Sequence, residues 1–295
     1  MCSALYTKTE MVKTMNYKLL AADMDGTLLN DKSIITKRTI TAIKSAVDAG
    51  VVFVVSTGRP MCGVSDINAL FTEDMPVIVF NGAMAVTGKS GKILFSRPLD
   101  FQLAGEIYNV GMSRNVPVAM WCYNKSERLY VSSDCDAVRD YQTITGAKLH
   151  LIDDFNMFKD KHICKMLWID TPENAALWQV EMNMHFGGKV NCHTTRPYLL
   201  EFVDAGASKA LAMEAIGNVY NIDKSEMIAV GDGYNDLSML KYAGLGVAMG
   251  NAPEEIKKVC KYVTLSNNED GVAELIDMKI VQSAKCRGQR AEVIR

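Results

Sequence analysis

Residues 17–29, YKLLAADMDGTLL, end an apolar run in two acids separated by one residue, and no other stretch narrows the possible folds so sharply. Leu19, Leu20, Ala21 and Ala22 read as a short strand buried on both faces, as a parallel sheet covered by helices requires. In extended chain a spacing of two returns to the same face. Asp23 and Asp25 are therefore expected to converge at the strand's carboxyl end, where Gly26 lets the chain turn. Open α/β sheets bind their ligands outside that edge. Two carboxylates so close repel unless a cation lies beside them, and oxygen ligands suit a hard divalent ion such as Mg2+. One acid could then attack phosphorus while the other gives a proton to the leaving oxygen and takes one from water. The plainer alternative is a strand that ends in an ordinary Asp-Gly turn.

Other segments favour the chemical reading. VVFVVSTGR, residues 51–59, is a β-branched strand that ends in Ser56, Thr57 and Gly58, so a hydroxyl and free backbone N–H groups suited to phosphate oxygens reach the same sheet edge. MIAVGDGYND, residues 227–236, closes a further strand on Asp232, Asn235 and Asp236, more oxygen ligands for a metal. PVIVFN, residues 76–81, turns at Asn81-Gly82 and delivers a polar amide there. Lys209 opens a helix whose expected buried stripe is Leu211, Ala212, Ala215, Ile216 and Val219. A cation at that end opposes the helix dipole, which is explained if it serves an anionic substrate; an exposed lysine tolerated at small cost is the alternative.

DMDGT at residues 23–27, STGR at 56–59, Lys209, and GDGYND at 231–236 resemble, in order, the four motifs of the haloacid dehalogenase (HAD) superfamily. The NGA at 81–83, the run GDGYNDLSML and the long insertion are similar to its Cof-type sugar-phosphatase branch with the class IIB cap, a likeness that covers about residues 17–278. The resemblance implies that Asp23 is the nucleophile forming an aspartyl-phosphate, and Asp25 the general acid/base whose backbone carbonyl also binds Mg2+. It further implies that Thr57 and Gly58 hold the phosphoryl group and that Lys209 bridges Asp23 and the phosphate. Asp232 would be a metal ligand, Asp236 would support the metal, and Asn235 would face the phosphate. One departure is Ala210, where the family usually has glycine.

The expected architecture is an α/β, HAD-like Rossmannoid fold: a doubly wound parallel sheet core with an inserted α+β cap. Alternating strands and helices assign residues 17–83 and 201–280 to the core, and shorter alternating strands assign 84–200 to the cap, read as an antiparallel sheet with helices on one face. In the first core helix Thr36 is the expected cap and Ile40, Ile43 and Val47 the buried stripe. Substrate-reading candidates are Arg59, Asn81, Arg196 and Tyr198, the last two placed on one strand face. Arg59 can meet an anion or belong to a surface ion pair. Trp121 and Tyr123, and the methionines Met182 and Met184, read as packing.

A net charge of -2 gives no global basic field, which argues against nucleic acid or an anionic membrane as partner. The eight cysteines form no C-x-x-C pair and read as reduced thiols of a cytoplasmic protein. No apolar stretch approaches a membrane span, and residues 1–16 and 285–295 read as flexible extensions. The sum is a Mg2+-dependent phosphatase of small phosphorylated metabolites, sugar phosphates first, working as a monomer or small homo-oligomer. A phosphomutase and a non-catalytic phosphometabolite-binding protein are the alternatives.

Overall fold

Strand β1 (Leu19–Asp23) is buried along its whole length because its two faces enter different cores. Leu20 and Ala22 pack with Ile43 of helix α1 (Lys37–Asp48), while Leu19 and Ala21 pack with residues near the chain's other end, among them Met213 and Ile216. A computed structural model describes residues 17–123 and 127–281, so the expected extensions at 1–16 and 285–295 lie outside the described residues. After β1 the core continues through β2 (Val52–Ser56), short helix α2 (Ser65–Ala69), β3 (Pro76–Val79), β4 (Met84–Thr87) and β5 (Ile93–Ser96). The cap follows as α3 (Phe101–Ser113), β6 (Val118–Tyr123), β7 (Glu127–Val131), α4 (Asp136–Thr145), β8 (Leu149–Leu151) and β9 (His162–Ile169). It ends in α5 (Pro172–Phe186), β10 (Val190–Arg196) and β11 (Leu199–Asp204). The chain then returns through α6 (Lys209–Tyr220), β12 (Met227–Gly231), α7 (Leu237–Tyr242), β13 (Leu245–Ala248), α8 (Glu254–Val259), β14 (Tyr262–Val263) and α9 (Gly271–Ile276).

The core sheet has the order β14-β13-β12-β1-β2-β3-β4-β5, parallel from β14 to β3 and antiparallel at β4 and β5. With β1 between β12 and β2, and Asp23 opposite Ser56 in register, the ends of these strands meet at one edge. The cap sheet runs β10-β11-β9-β6-β7-β8. The expected boundaries shift accordingly: residues 84–96 extend the core sheet, and β11 carries the cap to Asp204. Antiparallel edge strands of a core and strands of a cap share the same alternating pattern, so pairing partners decide what composition cannot.

Four further expectations are corrected. The cap sheet contains one parallel pair, β7 with β8, and carries helices on both faces. Ile107 of α3 and Phe186 of α5 pack on the face of Met120 and Met166, while Val138 and Tyr141 of α4 pack on the opposite face with Trp121 and Leu167, toward the core. Thr36 does cap α1, accepting from the Thr39 N–H, but the buried face is Thr39, Ala42, Ile43 and Ala46, with Ile40 and Val47 half-buried. Helix α6 buries Lys209, Ala212, Met213, Ile216 and Gly217, leaving Leu211 and Val219 exposed, because its rotation follows the inward lysine. Trp121 and Tyr123 are buried packing residues as expected, and so is Met182, but Met184 is 79% exposed. Cys122, Cys164 and Cys192 are buried. Among the described residues no helix is long and apolar enough to cross a membrane.

Candidate active site

At the carboxyl edge of the core sheet, Asp23, the last residue of β1, is 5% exposed. Lys209 begins α6 with no exposed surface, and its Nζ donates to Asp23 Oδ1 at 2.5 Å, to Asp236 Oδ1 at 2.6 Å and to the Ser56 carbonyl at 3.0 Å. The helix start is fixed by Ser208, whose side chain accepts from Leu211 N. It lies so close to the loop after β3 that a Cβ on Gly82, at φ +94°, would be 2.1 Å from the Ser208 carbonyl carbon. Lysine at this first turn therefore serves two buried carboxylates, and the exposed alternative falls away. Burial works against its charge, but Asp23 and Asp236 outweigh that and raise its pKa. Burial also pushes the Asp23 carboxyl up to about 8, opposed by Lys209 and reinforced by Asp236 and Asp232. The same cause lifts Asp232 to about 6, against a hydrogen bond of 2.8 Å from the Thr27 hydroxyl to its Oδ1.

Carboxylate oxygens of Asp23, Asp232 and Asp236 lie within 4.8 Å of one another. All-oxygen donors around so small a volume fit a hard divalent cation, which would offset the burial and relieve the mutual repulsion that together raise Asp23 and Asp232. Gly26 makes room for this cluster, since a Cβ there would be 2.4 Å from Asp232 Oδ2. Within the cluster Asp236 is the brace: besides Lys209 it accepts from Asp232 N at 3.1 Å and Gly233 N at 2.9 Å.

Asp25 lines the same cleft as Asp23, with its carboxylate paired to Arg59. The strand ends at Asp23, two residues short of it, and the turn at Gly26 sends the Asp25 carboxylate to Arg59, whose Nε and Nη2 donate to its oxygens at 2.8 and 2.5 Å. The side chains of that pair are 38% and 56% exposed. Of the two readings of Arg59, the ion pair is the observed one, although both residues still line the cleft.

The cleft, about 450 Å³, is bounded on the core side by Asp23, Asp25, Thr57, Gly58, Asn81 and Asp232. Thr57 is buried and its Oγ1 accepts from Arg59 N at 3.0 Å; Asn235, also in the wall, donates through Nδ2 to Asn81 Oδ1 at 3.1 Å. Asn81 holds its amide there from a left-handed backbone, φ 56°. On the cap side Tyr141, Ile144, Lys165, Arg196, Leu199 and Glu201 complete the wall. Arg196, the last residue of β10, lines the cleft as expected; Tyr198 does not, because Pro197 and Tyr198 form the turn to β11 and the tyrosine packs half-buried on the core cluster.

Lys165, Glu201 and Tyr141 lie outside every motif, and Thr27, inside the first, carries no expected role. For the first two there was a signal: a charge inside an otherwise apolar strand, HICKMLWI and LLEFVD.

Negative charge is thus gathered on acids at one wall, with a hydroxyl and amides facing them, the two halves that a phosphate ester and its counter-cation need. Such a core beneath an inserted cap defines a class of phosphoryl-transferring hydrolases. The chain belongs to the haloacid dehalogenase-like hydrolase family, whose model matches residues 20–276. Its inserted cap is that of the Cof-type branch, and it is a phosphoric monoester hydrolase. It is 32% identical over 264 residues to YxeH of Bacillus subtilis, covering 88% of this chain and 97% of that one. To YwtE of the same organism, named as a 5-amino-6-(5-phospho-D-ribitylamino)uracil phosphatase, it is 31% identical over 284 residues, 88% and 97% of the two chains. A solved haloacid dehalogenase-like hydrolase from Bacteroides thetaiotaomicron matches at TM-score 0.78 and 30% identity, covering 89% of this chain and 99% of its own.

Proposed function

We infer that the chain is a cytoplasmic, Mg2+-dependent phosphatase of small phosphorylated metabolites, sugar phosphates foremost, that works through an aspartyl-phosphate on Asp23. The carrying observation is the fully buried Lys209 shared by Asp23 and Asp236. A cation there favours the ionised form of a buried carboxylate and aims it, as a nucleophile requires. Asp23 and Asp232 would hold Mg2+ together with the Asp25 carbonyl; the ion, when bound, supplies positive charge for the phosphoryl oxygens. Thr57, Gly58 and Asn235 would bind those oxygens. Asp25, steered by Arg59, would give a proton to the leaving oxygen and then take one from the attacking water. The cap excludes water from the cleft and presents Arg196 to the leaving group. YwtE, named for a phosphate ester on a ribityl chain, supports a metabolite substrate.

Release of inorganic phosphate from a panel of sugar, nucleotide and cofactor phosphates, with Mg2+ or EDTA, tests this. Asp23→Asn is expected to lower turnover by on the order of a thousandfold or more while the fold holds. Near-full turnover in that variant refutes the nucleophile assignment, and conversion of an ester to its isomer without phosphate release indicates a mutase.

A further inference from the structure

Two side chains of the cap carry charge where packing has no use for it. Lys165 in β9 and Glu201 in β11 form a 2.8 Å ion pair whose side chains are only 4% and 7% exposed. Apolar residues of similar volume hold such positions at least as well, so the pair is not explained by stability. Nor is its hydrogen-bonding capacity used up: Glu201 Oε2 is buried with no hydrogen-bond partner among the described residues, which costs folding free energy until a donor arrives. Both residues line the cleft. So does Tyr141, whose hydroxyl oxygen accepts from Trp121 Nε1 at 2.9 Å and so keeps its own proton to donate. Burial raises the pKa of that hydroxyl, and the neighbouring charges of Lys165 and Glu201 act on it in opposite senses. Lys165 also reaches the core, donating to the Gly58 carbonyl at 3.3 Å, one residue beyond Thr57.

We propose that Glu201 and Tyr141 form a leaving-group subsite for a polyol phosphate, Glu201 Oε2 accepting from and Tyr141 donating to a hydroxyl on its carbon chain, with Lys165 as the positioning residue. A hydroxyl both donates and accepts, so one such group answers the unpartnered carboxylate oxygen and the spare phenolic proton together. A leaving group without hydroxyls leaves Glu201 unpaired, and the site discriminates against it by that deficit. Because Lys165 links Glu201 to Gly58, the subsite is assembled where the cap meets the phosphate loop. This deepens the phosphatase reading and rests on it.

The test is the ratio of kcat/KM for glucose 6-phosphate to that for phenyl phosphate, measured on the full chain with Mg2+. Glu201→Gln keeps the shape and the Lys165 contact but loses the charged acceptor, and should lower the ratio by about 10-fold. Since a lone buried lysine can destabilise that variant, Lys165→Met/Glu201→Leu replaces the pair with apolar residues of like size and should lower the ratio by on the order of 100-fold. A ratio unchanged in both variants overturns the subsite while the phosphatase reading stands. If the unaltered chain releases phosphate from no ester, that reading fails and the subsite with it.

Discussion

Replacing Lys209 by methionine keeps the length of the side chain and removes its charge. Two buried carboxylates, held at 2.5 and 2.6 Å from Nζ, are then left facing each other without a cation. Removing one partner of a buried ion pair costs about 3–5 kcal/mol, far more than an exposed pair is worth. The loss should depend on pH in a defined sense. Burial raises Asp23 from 3.8 to about 8, so its neutral form contributes stability that is fully present below about pH 4 and is lost as pH rises through 8. Lys209, whose pKa is raised, opposes that loss throughout the range because it is charged at every pH concerned. Without it, ionising Asp23 becomes costlier still, so the variant's deficit should stay level up to about pH 7 and widen as pH rises through 8, between about pH 7 and about pH 9. Urea unfolding in EDTA at the two pH values measures it. A deficit below about 1 kcal/mol, or one that shrinks as pH rises, would refute the view that this lysine is the counter-charge of the acidic cluster.

Arg59→Ala frees the Asp25 carboxylate and should cut kcat by roughly 10- to 100-fold with little change in unfolding midpoint, since the pair is half-exposed; Arg59→Lys, lacking the planar fork, should not restore it. Mg2+ should raise the melting temperature, and its affinity by titration calorimetry should climb from about pH 5 to about pH 8, because Asp232 and Asp23, with pKa values of about 6 and 8, must lose protons to bind it. An affinity that falls with pH over that range would exclude these acids as the ligands. Gly82→Ala forces a Cβ to within 2.4 Å of Lys209 N at a backbone angle that disfavours alanine, and should cost about 2 kcal/mol or more while displacing Lys209; thermal unfolding and turnover report both.

Sequence alone determined the kinds of groups present and the sheet edge at which they gather. Apolar strands ending in Asp23, Thr57 and Asp232 announce their own carboxyl ends, because burial on both faces and turn chemistry are written in a few neighbouring residues. The same local reading could not give Asp25 its partner Arg59, since where a strand stops is settled by pairing, and β1 stops at Asp23. It assigned β4 and β5 to the cap for the same reason. The resemblance to a known family, and no local pattern, implied that Lys209 meets Asp23 across 186 residues; only the tertiary structure could join Lys165 to Glu201 and set them over Gly58. Proximity between distant segments depends on how sheets stack and which way a helix is turned, and no periodicity within either segment records it.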